Sequence, residues 1–184
     1  MTIHIGSIKE ANLELRSNIV RTPTIQSQYL SNEVNANVFL KLENLQYTSS
    51  FKVRGAYVSI KRLKEEQKPK GVIAMSAGNH AQAVAWWAQK EGVKATIVMP
   101  EQAPLSKVMK TKSLGAEVIL KGRTLNESQN YVSELIDYKK LTLIHPYDDP
   151  NVVIGQGTLG LELMEDTKNL DLLVIPIGGG GLIS

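Results

Sequence analysis

The sequence predicts an α/β fold built on a parallel sheet, on two observations. Short, continuously apolar runs begin near residues 72, 96, 118 and 141, spaced 22 to 24 residues apart. Between them lie segments of helix formers bounded by capping and breaking residues. Strands without polar alternation are buried on both faces, and strands that alternate with helices pair in parallel. At 184 residues, 42% hydrophobic and 21% charged, the chain is long enough to bury such a core and too apolar for wholesale disorder.

In chain order, residues 37–43 (Asn-Val-Phe-Leu-Lys-Leu-Glu) alternate weakly and are expected to form a strand. Residues 52–68 follow as a helix, with Ser49 or Ser50 placed to cap it. Val72, Ile73, Ala74 and Met75 open the regular series; Asn79 caps the next helix and Gly92 closes it. Strand 95–99 breaks at Pro100, and the helix opening near Pro104 stops at Gly115. Strand 117–120 leads into a helix from Thr124 to Lys139, and residues 141–144 complete a self-contained four-strand lobe. Residues 157–166 are then expected as a helix and 171–177 as a buried strand. The strands outside the series make a poor sheet alone, so they need further strands to pair with.

Composition removes several kinds of chemistry. With no cysteine there are no disulfides, thiolate nucleophiles or cysteine-ligated metals. His4, His80 and His145 are scattered without metal-ligand spacing, so no metal site is expected. A net charge of +3 is too small to announce nucleic acid. The basic cluster Lys61, Arg62, Lys64, Lys68 and Lys70 is interrupted by Glu65 and Glu66 and lacks interleaved aromatics, as a solvated helix face would. The most apolar stretch, residues 172–184, is short and holds a proline and four glycines, so no membrane span is expected. Residues 1–9 show no secretory signal, which makes a cytoplasmic protein the expectation. No G-x-S-x-G elbow anchors a hydrolase triad.

Four segments could carry chemistry. Gly178, Gly179, Gly180 and Gly181 follow an apolar run, where bare amides can converge on a phosphate; a flexible turn is the plainer reading. Gly155, Gly157 and Gly160 match the dinucleotide pattern G-x-G-x-x-G, but no carboxylate lies about 20 residues on, so close helix packing explains them better. Lys52 is by default a surface charge, yet Phe51 could desolvate it and Arg54 could raise the local potential, both favouring a nucleophilic amine. Ser76, Ala77, Gly78, Asn79 and His80 leave a strand end, where open α/β sheets bind ligands; the segment could hold a carboxylate or simply turn and cap. Asp148 and Asp149 fit a polar turn before Pro150 better than an ion site.

Taken together and in order, Ser-Phe-Lys-x-Arg-Gly, Ser-Ala-Gly-Asn-His-Ala-Gln and Gly-Gly-Gly-Gly-Leu-Ile-Ser resemble the fold-type II pyridoxal-phosphate enzymes. Within them the likeness is to the threonine (serine) dehydratase and serine racemase group. Residues 40–46 (Leu-Lys-Leu-Glu-Asn-Leu-Gln), Arg21-Thr22-Pro23 and the run from His145 to Thr158 agree, so the similarity covers the whole chain. The resemblance implies two parallel-sheet lobes of the tryptophan-synthase-β-like type. Residues 1–70 and 147–184 would be parts of a larger, truncated lobe, and residues 71–146 a complete smaller one. It implies pyridoxal 5'-phosphate carried by Lys52, which later takes the substrate Cα proton. Phe51 would pack on the ring, Asn79 would bond the phenolic oxygen, and Gly178 to Gly181 with Leu182 would hold the phosphate. Residues Ser76, Ala77, Gly78, Asn79 and His80 would receive the carboxylate of a hydroxy amino acid, threonine or serine, which loses its β-hydroxyl to give a 2-oxo acid and ammonia. The alternative is a catalytically silent module of the same ancestry that acts by binding alone. Serine racemases carry serine where this chain has Ala77, which favours elimination over racemisation. Ser49 stands where the family usually has glycine. The full-length form is expected to assemble as a homo-oligomer.

Overall fold

The computed structural model describes residues 3–184. Helix α1 (Ile5–Leu15), strand β1 (Thr24–Gln26), helix α2 (Gln28–Val34), strand β2 (Phe39–Lys41) and a 3-10 turn (Glu43–Leu45) precede helix α3 (Lys52–Lys61). The regular series follows as β3 (Val72–Met75), α4 (Asn79–Lys90), β4 (Ala95–Met99), α5 (Leu105–Ser113), β5 (Glu117–Leu120), α6 (Leu125–Lys139) and β6 (Thr142–Leu143), and helix α7 (Pro150–Asp166) comes last.

The four strands of the series form one parallel sheet in the order β5-β4-β3-β6. Val72, Ala74, Ile97 and Met99 enter a core shared with α3 and α4 residues such as Val53, Ile60, Val84 and Ala88. Ile73 and Val98 face the other way, onto Val132 and Leu135 of α6 and onto Leu141. The two central strands are therefore covered on both sides, which is why their sequences lack polar alternation. Gly92 (φ +66°) and Gly115 (φ +85°) end α4 and α5 in the left-handed conformation that glycine adopts without strain. Thr124 accepts from Glu127 N at 3.2 Å, and the Glu127 carboxylate accepts from Arg123 N at 2.8 Å, so the start of α6 is capped reciprocally.

Several expectations need correction. Gly78, not Asn79, is the N-cap of α4, and Asn79 is its first helical residue. Helix α3 ends at Lys61 rather than 68. Leu63 is the last buried apolar residue there, the exposed charges that follow offer no face to pack, and Pro69 restrains Lys68 from helical geometry. Helix α7 begins seven residues earlier than expected, at Pro150, because Asp149 accepts from Asn151 N and Val152 N. The strand expected at 37–43 is β2, and it pairs antiparallel with β1 instead of joining a second parallel sheet. The buried strand expected at 171–177 does not form: the segment has no regular secondary structure, with Leu172 77% and Val174 89% exposed. A strand is made by its neighbours' backbone groups, and no described strand lies beside this one.

Helix α3 is the hub, packed on both α4 and α7. Trp87 Nε1 of α4 donates to Val53 O at 2.8 Å, and the Trp87 and Tyr57 rings meet edge-on at 4.7 Å. Against α7 the approach is closer still, since a Cβ on Gly155 would fall on Arg54 O and lie 2.6 Å from Gly55 Cα. Gly157 faces Ile8 of α1 in the same way, at 2.9 Å. The apparent dinucleotide motif is thus a helix-packing surface inside α7. Among the described residues no helix is long and apolar enough to cross a membrane, and no cluster of histidine and carboxylates could hold a metal.

Candidate active site

The chain moves outward from β3 through β4 to β5, then crosses back to place β6 on the other side of β3. At such a reversal the loops leaving the two adjacent strands diverge and open a crevice beyond their carboxyl ends. Those loops are residues 76–78, leading into α4, and residues 144–149, leading into α7.

Lys52, the first residue of α3, reaches the second loop. Its amine donates to Pro146 O at 2.7 Å and lies 5.3 Å from the centre of the Phe51 ring. Burial pushes its pKa below the ordinary lysine value. The anticipated help from Arg54 is absent. Arg54 is fully buried and turned away, forked onto Glu43 (2.8 and 2.9 Å) and Glu162 (2.7 and 3.0 Å), with Thr158 at 3.2 Å. Its charge is spent on those two carboxylates, so desolvation alone shifts Lys52. The capping role expected of Ser49 or Ser50 is also unfilled. The N-cap, Phe51, makes no side-chain cap and Ser50 Oγ is buried without a partner; further into the helix, Gln156 of α7 accepts from Gly55 N at 3.2 Å.

On the first loop, Ser76 Oγ accepts from Gly78 N at 3.1 Å, turning the chain into α4. Ala77 and Gly78 are half-buried and Asn79 is exposed. His80 is buried, with Nε2 2.8 Å from Ile144 O. A carbonyl only accepts, so Nε2 carries the proton and Nδ1 is left as a bare acceptor; it is buried with no partner. Burial lowers the His80 pKa to about 4 and keeps the ring neutral.

The glycine run closes on the same segment. A Cβ on Gly179 would overlap the Tyr147 ring, and one on Gly181 would lie 2.8 Å from Tyr147 Cα. Gly180 has φ +88°. Its carbonyl accepts from Ile183 N and Ser184 N at 3.1 and 3.0 Å, opening a helical turn beside half-buried Leu182. Gly178 and Gly180 are uncovered, since a Cβ on either would meet nothing. Four consecutive residues, Ile144 to Tyr147, therefore collect His80, Lys52 and the glycine run, which are far apart in sequence.

A family model described as pyridoxal-phosphate dependent enzyme matches residues 15–184. The chain belongs to that family. It is 52% identical over 183 residues to a catabolic L-threonine dehydratase of Staphylococcus aureus, covering 99% of this chain and 53% of that protein. Among solved structures it resembles serine racemase from Dictyostelium discoideum (40% identity, TM-score 0.92), over 99% of this chain and 59% of the other. It also resembles threonine deaminase isoform 2 from Solanum lycopersicum (37% identity, TM-score 0.89), over 100% of this chain and 52% of the other. The chain thus spans about half the length of the relatives it matches. The residues present fit the cofactor the family description names. A partly desolvated lysine on Pro146 lies one residue along the chain from the Tyr147 contact of a glycine run in which two positions admit no side chain and two are open, as a phosphate approached by backbone amides requires.

Sequence reasoning missed the partners that hold these groups. The Pro146 carbonyl and Tyr147 carry no side-chain signal of their own. Gln156 is a polar residue between glycines in a helix, and Glu43 and Glu162 were the available counterions for a buried arginine.

Proposed function

We propose that the chain is part of a lyase that converts a hydroxy amino acid, threonine or serine, to a 2-oxo acid and ammonia, with pyridoxal phosphate held at Lys52. The observation that carries the reading is the convergence of Lys52, His80 and the glycine run on residues 144–147. The bound cofactor supplies an electron sink for the substrate Cα. Lys52 binds the cofactor and, with its depressed pKa, takes the Cα proton at Nζ. Phe51 packs on the cofactor ring, Asn79 orients it through its phenolic oxygen, and the amides of Gly178 to Gly181 and Leu182 hold the phosphate. The loop from Ser76 to His80 receives the substrate carboxylate at the α4 N-terminus, where unpaired amides and the helix dipole favour an anion. Ala77 offers no hydroxyl to reprotonate Cα from the far side, which supports elimination over racemisation. The same reading divides the chain into a smaller lobe near residues 71–146 and flanking parts of a larger one. It also includes a homo-oligomeric full-length form and a cytoplasmic location.

The test is to incubate the purified chain with pyridoxal phosphate, reduce with borohydride and map the modified residue. An adduct confined to Lys52 is expected. Scattered labelling, or none, would favour a module that acts by binding alone. Formation of 2-oxobutanoate from threonine is the stricter measurement.

A further inference from the structure

We propose that His80, as the neutral tautomer protonated on Nε2, is a positioning residue for Lys52. It fixes the exit of β6 so that the Pro146 carbonyl holds the lysine amine in place. The inference rests on the reading that Lys52 is the reactive amine.

The chain leaves β6 at Leu143, and residues 144–149 have no regular structure of their own. Ile144 N donates to Ile73 O at 2.9 Å, which anchors the start of this segment to the sheet. Two side chains then grip its carbonyls: His80 Nε2 donates to Ile144 O at 2.8 Å, and Lys52 Nζ donates to Pro146 O at 2.7 Å. Pro146 has no amide hydrogen, so that residue cannot be held by donation to a neighbour. The carbonyl that receives Lys52 is thus placed by its neighbours, and His80 is the buried side chain that grips the residue two positions earlier. A histidine this buried with one bare ring nitrogen is poor packing, because an unsatisfied buried acceptor costs about 1–3 kcal/mol. An apolar residue would fill the same space without that cost, which argues for a purpose in the Nε2 bond. His80 is also the second residue of α4, so the tether links the loop proposed to bind substrate with the loop that holds the lysine.

The test reads Lys52 without any cofactor. Trace acetylation with acetic anhydride, quantified by peptide mass spectrometry, is compared in the native chain, His80→Leu and His80→Gln. Removing the tether in His80→Leu should change Lys52 acetylation at least threefold relative to Lys90. His80→Gln, whose amide nitrogen can donate from a similar place, should restore it to within about twofold. Unchanged labelling in a folded His80→Leu chain would overturn the proposal, as would failure of glutamine to rescue. Nitrogen NMR of the native chain tests the premise even if His80→Leu does not fold. A protonated Nε2 and bare Nδ1 at neutral pH are expected, and the opposite tautomer or a charged ring would overturn it. If His80 behaves as proposed while borohydride trapping misses Lys52, the functional reading fails and the tether stands.

Discussion

Ser49 sits at φ +57°, in the left-handed region where a side chain costs about 1–2 kcal/mol and glycine almost nothing. Glycine would hold this conformation without strain, whereas this chain bears strain three residues before the first residue of the lysine-bearing helix. Ser49→Gly should raise stability by about 0.5–1 kcal/mol in urea unfolding, the relieved strain being partly offset by the freer unfolded chain. His80 makes a second residue-scale prediction. Its folded pKa of about 4 lies below the ordinary 6.5, so between those values the unfolded chain binds a proton that the folded chain does not. The neutral ring's contribution is complete above pH 6.5 and is lost as pH falls toward 4, amounting to about 3 kcal/mol. Urea midpoints measured from pH 7 to 4 should fall more steeply for the native chain than for His80→Gln.

Between elements, the contact of α3 with α7 combines close backbone packing with a buried ion pair, Arg54 to Glu162. Gly155→Ala would place a methyl group on the backbone of Arg54 and Gly55, and should destabilise the chain by about 3 kcal/mol. Gly160, in the same motif but with open space around it, should accept alanine with a small gain in stability. Thermal unfolding of the two variants distinguishes a packing motif from a ligand loop, for which both would be neutral. Burial alone would raise the Glu162 pKa, but Arg54 and Lys41 hold it below the ordinary value. Arg54→Met leaves half-buried Glu43 without its cation and buried Glu162 with Lys41 alone, and should cost about 3 kcal/mol. Because α3 begins at Lys52, that variant should also weaken trapping of pyridoxal phosphate at this lysine.

Across the whole molecule, order is uneven. One face of the sheet and α3 share a continuous core, while residues 171–177 have no regular secondary structure, exposed apolar side chains and no backbone hydrogen bond among the described residues. Hydrogen exchange should show Ile97 and Val98 protected to the limit of global unfolding and Leu173 and Val174 exchanging at nearly open-chain rates. Leu172→Lys and Val174→Lys should leave the melting temperature within about 2 °C, a result incompatible with a buried strand.

The sequence by itself determined the parallel sheet, because uninterrupted apolar strands at regular spacing have few other ways to be buried. Local chemistry likewise determined where α4, α5 and α6 stop and start, since Gly92, Gly115 and Thr124 act through their own backbone and near neighbours. The resemblance carried by the order of their motifs joined Lys52, the loop from Ser76 to His80 and the glycine run into one expected constellation. Tertiary structure alone decided what holds them. Helix α3 is tied through Gly55 N to Gln156, about a hundred residues away, and Arg54 serves Glu43 and Glu162 instead of Lys52. The lysine's partner is a main-chain oxygen on Pro146, a group every residue possesses and no side chain announces. The strand misread at 171–177 has the same origin, because strand formation depends on a neighbour's backbone and apolar composition only permits it.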